Sequence, residues 1–305
     1  MKNVKSGHSV PIVCLDAGHY GDRNQGVVSG YYEARAMWTL TNYLGTALEA
    51  YGIKVIKTRQ VQALDLDLVT RGRKAQGADL FISMHSNACD TERVDRAEAI
   101  YLVDDDCGKI DEQSKEIAGL LAETVREVMG TADKSRIFSR KSGNDRDRDG
   151  KINDDYYGVL YGAHHVSTAA IILEHSFHTN RRACEWLLND ANLRTMAKAE
   201  AKTIAAWFDV EKPASNSTPA PAPAPEPVKV DPAKSRSVDK RGTYKVKAPS
   251  GLRLRAGAST SKAILATLKD GAVVTCYGYH TGNWLYVQTR DGKVGYCYSD
   301  YLVKV

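Results

Sequence analysis

Three short runs in this chain each end on a side chain able to do acid–base or metal chemistry: LDAGH closes on His19, ISMH on His85 and IILE on Glu174. Apolar, β-favouring residues precede each polar group, which places all three at the carboxyl ends of buried strands. In an open parallel sheet those ends share one edge, where ligands of such folds bind. Glu33 joins them by another route. It carries the apolar stripe of Met37, Leu40 and Leu44 on toward the first turn of a helix, and a carboxylate turned toward a sheet needs a partner. Two neutral imidazoles, His19 and His85, with the carboxylate of Glu33 make a three-ligand Zn2+ site that leaves a coordination position for water. Such a metal acidifies water and polarises a carbonyl, as cleavage of an unactivated amide requires. Glu174 is then free to take a proton from water and deliver it to the leaving nitrogen. Each residue alone also fits a plain structural role: a hydrogen-bonded histidine after a strand, a glutamate favouring a helix amino terminus, or Glu174 paired with an arginine such as Arg71. Their coincidence on one edge favours the site.

The elements that must position these groups follow from periodicity. Runs at 11–15, 53–58, 80–84, 99–103 and 170–173 read as buried strands, and they alternate with helical patterns. A helix is predicted over 31–51, with Met37, Leu40, Leu44, Ala47 and Tyr51 on one face, a second over 112–129, and a third over 182–208, broken near 189–192. The expected fold is α/β, a mainly parallel or mixed sheet with helices on both faces.

Seven of the nine prolines fall between Pro213 and Pro232, where large apolar residues disappear. Alternating Pro and Ala favours extended polyproline II, a spacer between domains. The expected division is 1–210, a linker at 211–241, and 242–305. In the last part short strands are separated by Asp270-Gly271, Gly282-Asn283 and Asp291-Gly292 with no helical pattern, the marks of a small all-β barrel or sandwich. It also holds seven of the sixteen tyrosines together with Trp284. That is more aromatic surface than so small a core needs, so some is expected to be exposed for binding, while Trp284 itself is expected to fill the barrel.

Across 305 residues, 43% are apolar and the formal charge is +5. The chain can therefore bury a sizeable core and is drawn to anionic surfaces such as a cell wall, but it lacks the dense arginine stripe of a nucleic-acid binder. The apolar run 10–15 is shorter than a signal-peptide core and reads as a strand, and no segment approaches the roughly 20 apolar residues that span a bilayer. The expectation is synthesis in the cytoplasm without a signal peptide and no membrane insertion. The six cysteines are scattered without CxxC or CxxH spacing, and a Cys276–Cys297 bridge is disfavoured.

LDAGHYG, Glu33 on the following helix, Thr58-Arg59, VTRGRKAQGADLFISMHSNA and IILEHSFHTN resemble, in order and spacing, the zinc-dependent N-acetylmuramoyl-L-alanine amidases of type 3. The resemblance spans nearly all of 11–208. It implies zinc held at the positions of His19, Glu33 and His85, Glu174 as the catalytic glutamate, and as substrate the peptidoglycan amide joining N-acetylmuramic acid to L-alanine of the stem peptide. Tyr20 departs from a commoner glycine and Ser86 from a commoner alanine. The stretch 244–305 resembles a bacterial SH3 domain of the wall-binding kind. Its basic residues Lys245, Lys247, Arg253, Arg255, Lys262, Lys269, Arg290 and Lys293 outnumber Asp270, Asp291 and Asp300, which suits an anionic wall.

An amidase joined to a wall-binding module without a signal peptide fits a phage endolysin of a Gram-positive host. A bacterial autolysin, a zinc endopeptidase and a non-catalytic wall-binding protein are the alternatives. Asp145, Asp147, Asp149 and Gly150 open like a calcium loop, but Tyr156 stands where a closing glutamate belongs, and Arg146 and Arg148 are interleaved. An exposed charged loop is expected there. His175, His178, His164 and His165 lack the spacing of a second metal motif and are read as residues that support the ligands from behind or as structural ones.

Overall fold

The computed structural model describes residues 6–103, 108–212, 230–231, 233–289 and 293–305. The chain divides into two units, Met1–Ala214 and Ser215–Val305. Most of the Pro/Ala stretch, Cys107 and the Asp291-Gly292 turn lie outside the described residues.

In the first unit the order is β1 (Ile12–Ala17), α1 (Glu33–Glu49), β2 (Lys54–Lys57), α2 (Leu68–Arg73), β3 (Leu80–Asn87), β4 (Glu98–Tyr101), α3 (Gly108–Met129), β5 (Arg136–Phe138), α4 (Gly158–His164), β6 (Ala169–Phe177), α5 (Arg181–Leu188) and α6 (Asp190–Trp207). The sheet runs β2-β1-β3-β6-β4-β5. Strands β1, β2, β3 and β6 are parallel, whereas β4 lies antiparallel to β6. Alternate residues of the central strands serve opposite faces, as the pleat requires. Leu15, Ile82 and Leu173 join one cluster with Leu40 of α1, Ile117 of α3 and Ile204 of α6. Cys14, Phe81 and Ile172 join another with Val159 and Leu160 of α4. Burial on both sides explains why these strands read as continuous apolar runs.

The sequence pattern did not resolve α2, α4 or β5. Each is short, and α2 and α4 carry interior glycines, which weaken helical propensity. Gly72 is needed for contact: a Cβ there would stand 2.1 Å from the Val159 carbonyl oxygen. The third predicted helix is broken at Asn189, which ends α5 and caps α6 by accepting from the Ala191 amide. No helix among the described residues is long and apolar enough to cross a membrane.

The second unit is a seven-stranded sheet in the order β13-β7-β10-β11-β12-β8-β9. Its strands are β7 (Ser235–Val246), β8 (Leu252–Arg255), β9 (Ile264–Leu268), β10 (Val273–Thr281), β11 (Trp284–Thr289), β12 (Val294–Tyr298) and β13 (Leu302–Lys304), all paired antiparallel. Strand β7 begins within the stretch assigned above to the linker, because residues from Ser235 onward pair with β10. Leu254, Val274, Leu285 and Val287 form the core. Cys276 and Cys297 are buried free thiols. Trp284 does not fill this core. Leu285 and Val287 point inward, so alternation sends Trp284 and Tyr286 to the other face, and Trp284 is half-buried, edge-on to Tyr298 at 5.2 Å.

Candidate active site

At the carboxyl end of β1 the Gly18 amide donates to the Met84 carbonyl (2.8 Å), which seats the turn on the end of β3. A Cβ at Gly18 would stand 2.6 Å from the His85 ring. His19 follows with φ at 52°, a left-handed conformation that a non-glycine residue holds only when its surroundings impose it. Beneath the turn, fully buried Asp16 receives Thr58 Oγ1 (2.7 Å), Arg71 Nε (2.9 Å) and Nη2 (2.5 Å), and Ser83 Oγ (2.6 Å). Burial pushes Asp16 up, but the Arg71 charge and these bonds outweigh it and hold the carboxylate below its ordinary 3.8. Arg71 therefore pairs with Asp16 rather than with Glu174. Arg59 reinforces the turn by donating to the Ala17 carbonyl.

His19, Glu33 and His85 each offer a donor atom, and these atoms all lie within 4.8 Å of one another. Glu33 is 1% exposed and His19 37%, so the group is anchored inside and open at its His19 edge. Glu33 Oε1 receives His85 Nδ1 (2.8 Å) and the Ser86 amide (3.1 Å), while Oε2 receives Asn24 Nδ2 (2.6 Å). Asn24 Nδ2 also lies 2.9 Å from His19 Nε2. An amide nitrogen can only donate, so this ring nitrogen presents its lone pair, the form in which imidazole binds a metal. Burial raises Glu33, yet the His85 bond and the two histidine charges win and hold it at about 2. His19 is pushed down to about 4, foremost by burial. Burial lowers His85, but the bond and charge of Glu33 carry it above its ordinary value.

Glu174 faces His85 in register across β3 and β6. It is 8% exposed, and its Oε2 is buried with no hydrogen-bond partner. Burial pushes it up to about 8, against the His85 charge and with that of Glu33. Because β4 is antiparallel, Glu98 at its amino end also lies opposite Glu174. Its carboxylate is occupied by Asn87 Nδ2 (2.8 Å) and Arg96 Nε (2.6 Å). His175 turns to the opposite side of β6, as alternation predicts. There Nε2 meets Glu200 of α6 at 2.6 Å and Nδ1 meets the His85 carbonyl at 2.9 Å.

Asn24 and Glu98 are the surrounding residues that sequence reasoning passed over, while Ser86 and His178 were named there without this place beside the donors. Asn24 lies outside any periodic element and left no signal. The side on which His178 lies depends on an extra residue in β6: His85 opposes Glu174 but Asn87 opposes Phe177, with Ser176 left-handed at φ 57°. Such a bulge re-aims every side chain beyond it. His164 and His165 lie at the end of α4. Elsewhere, Asp145, Asp147 and Asp149 draw together, with Asp145 accepting the loop amides of Arg148 and Gly150. Arg146 leaves the acidic group to lie over the Tyr161 ring at 3.9 Å. The Tyr20 hydroxyl accepts from Arg23 Nη2 (2.9 Å).

Two imidazoles and a buried carboxylate at the edge of an α/β sheet, beside a second carboxyl group with a free oxygen, suit hydrolysis of a polar bond. Residues 13–206 match the family Amidase_3, N-acetylmuramoyl-L-alanine amidase, and the chain belongs to that family: it is a peptidoglycan amidase. Residues 250–303 match a bacterial SH3 domain, SH3_3. No curated protein matches the chain. Among solved structures it is similar to the catalytic domain of CwlV, an N-acetylmuramoyl-L-alanine amidase from Bacillus (Paenibacillus) polymyxa var. colistinus, with 19% identity, 66% of this chain and 100% of that one covered, and a TM-score of 0.53. For an N-acetylmuramoyl-L-alanine amidase of Clostridium difficile 630 the values are 20%, 66%, 98% and 0.54. For one of Nostoc punctiforme they are 20%, 65%, 97% and 0.51. At these identities the likeness establishes the α/β fold.

Proposed function

We propose that the protein is a zinc-dependent amidase that cuts between N-acetylmuramic acid and L-alanine of the stem peptide, with His19, Glu33 and His85 holding the metal and Glu174 carrying the proton. The observation that carries this reading is the convergence of the three donors beside a buried carboxyl oxygen with no partner. The donor set fits zinc: two ring nitrogens and one carboxylate, three protein ligands with room for a fourth. Zinc bound there would supply a Lewis acid that polarises the scissile carbonyl and acidifies water. The remaining work falls to the chain. Asn24 and the Ser86 amide orient Glu33, Gly18 leaves room for the His85 ring, and Glu174 takes a proton from the attacking water and returns it to the departing nitrogen. A carboxyl group held near neutrality is suited to both halves of that transfer.

In this reading residues 1–210 are the catalytic part, and the β unit that follows the Pro/Ala spacer holds the enzyme on the wall. Within that unit Trp284, Tyr298, Tyr301, Arg253 and Lys247 line a groove of about 910 Å³, aromatic and cationic as an anionic wall requires. An amidase so equipped suits a phage endolysin made in the host cytoplasm. A gene neighbourhood without a holin would point instead to an autolysin.

The test is digestion of purified peptidoglycan with zinc present, followed by mass spectrometry of the released muropeptides. New amino-terminal alanine without new reducing sugar is expected. A cross-bridge or internal stem-peptide terminus would make the protein an endopeptidase, and no new terminus at all would overturn the enzymatic reading.

A further inference from the structure

Behind the donor group lies a second, fully hidden set of polar side chains. The Tyr31 hydroxyl is 2.7 Å from Ser86 Oγ, and Ser86 Oγ is 3.1 Å from His178 Nδ1. His178 Nδ1 also lies 2.8 Å from the Ser86 carbonyl oxygen. That carbonyl can only accept, so Nδ1 carries the proton and shares it between the Ser86 carbonyl and hydroxyl oxygens, and the hydroxyl in turn bonds the phenol. The Tyr31 and His178 rings stack at 6.1 Å. Tyr31 is 0%, Ser86 2% and His178 6% exposed, so water does not compete for these bonds.

Their places in the chain matter more than the bonds themselves. Tyr31 stands two residues before Glu33, Ser86 directly after His85, and His178 four residues after Glu174. The three residues thus tie together the segments that present two of the donors and the proton carrier, and these segments come from widely separated parts of the sequence. The backbone repeats the linkage: the Ser86 amide donates to Glu33 Oε1 (3.1 Å), and the His178 amide to the Asn87 carbonyl (2.8 Å). His178 itself is not a fourth donor. Its Nδ1 is 3.9 Å from Glu33 Oε2, beyond a hydrogen bond, and is already engaged with Ser86.

We propose that Tyr31, Ser86 and His178 are positioning residues that hold Glu33 and His85 in the geometry a metal requires. The proposal rests on the reading of His19, Glu33 and His85 as a metal site. Groups that orient ligands from behind commonly change metal affinity or activity 10- to 100-fold when removed. The hydroxyl at position 86 is the link on which the other two converge, so its loss frees the phenol and leaves the imidazole only its bond to the Ser86 carbonyl.

The experiment uses the full chain and two variants, Ser86→Ala and Tyr31→Phe, each removing a single oxygen. Zinc affinity is measured by competition with a chromophoric chelator, ligand geometry by the visible absorption of the cobalt(II)-loaded protein, and stability by melting of the metal-free protein. Ser86→Ala is expected to weaken zinc binding roughly 10- to 100-fold, to shift the cobalt bands, and to lower kcat with KM within about twofold. Tyr31→Phe should act in the same direction and less strongly. It also carries the test alone if Ser86→Ala does not fold. Wild-type zinc affinity and cobalt spectrum in the folded variants, whether or not their melting temperature falls, would overturn the proposal by reducing the set to ordinary core bonds. Failure of the wild-type protein to bind zinc at all would instead remove the metal reading and the proposal with it.

Discussion

In the first unit Asp16, Glu33, Arg71, Glu98, Glu174, His175 and Glu200 are all buried, whereas Arg255 is the one buried charged side chain among the described residues of the second. Arg255 is also simply satisfied, donating to the Lys262 carbonyl (2.8 Å). The amidase unit places ionisable groups in its interior and ties them there by networks, because groups withdrawn from water can be held rigidly and their protonation tuned. The SH3 unit keeps an apolar interior and displays its chemistry outside, in Trp284, Tyr298 and Tyr301. The same chain therefore uses polarity in two ways, buried and networked in one unit and displayed on the surface in the other.

The sharpest test of that contrast is Glu174→Gln, which removes the proposed proton carrier and leaves the proposed donors His19, Glu33 and His85 intact. Turnover of peptidoglycan should fall roughly 10²–10⁴-fold while metal analysis still finds zinc at wild-type stoichiometry. Loss of zinc together with activity would make Glu174 a ligand instead. Next comes Arg71→Ala, which strands Asp16 as an unpaired buried charge. A loss of about 3–5 kcal/mol is expected in the melting of the first unit, with the second unit unchanged. The sign with pH follows from the direction of the shift. Asp16 is held below its ordinary 3.8, so its contribution is full above about that pH and is lost as the pH falls through the folded value. Acid titration of wild-type stability should therefore steepen below pH 4, and a melting temperature equally acid-sensitive in Arg71→Ala would assign the loss to other groups. The smallest effect is expected at the surface. Trp284→Ala should reduce pelleting with purified walls about tenfold, the order seen when an aromatic anchor is truncated, and leave hydrolysis of a soluble muropeptide unaltered. Equal losses in the two assays would abolish the division of labour.

Much of this could be read from sequence because buried parallel strands announce themselves. The apolar runs before His19, His85 and Glu174 located β1, β3 and β6, and the stripe through Met37 and Leu40 turned Glu33 inward. What could not be read has definite causes. An apolar run carries no direction, so the antiparallel course of β4, which sets Glu98 opposite Glu174, was hidden. The extra residue in β6 reset alternation, so the side on which His178 lies could not be derived from spacing. Trp284 was expected in the barrel, but Leu285 and Val287 claim the inward positions of β11. The pairing of Arg71 with Asp16 instead of Glu174 is a tertiary choice between two buried carboxylates that spacing does not distinguish.

Gly18 packs directly against the end of β3. Because a Cβ there would meet both the His85 ring and the Met84 carbonyl oxygen at 2.6 Å, a single added methyl group would displace the proposed metal ligand, with every reactive atom still present. With the second unit untouched, and binding the wall as proposed, such a chain would serve as an inert label for the surface its parent dismantles.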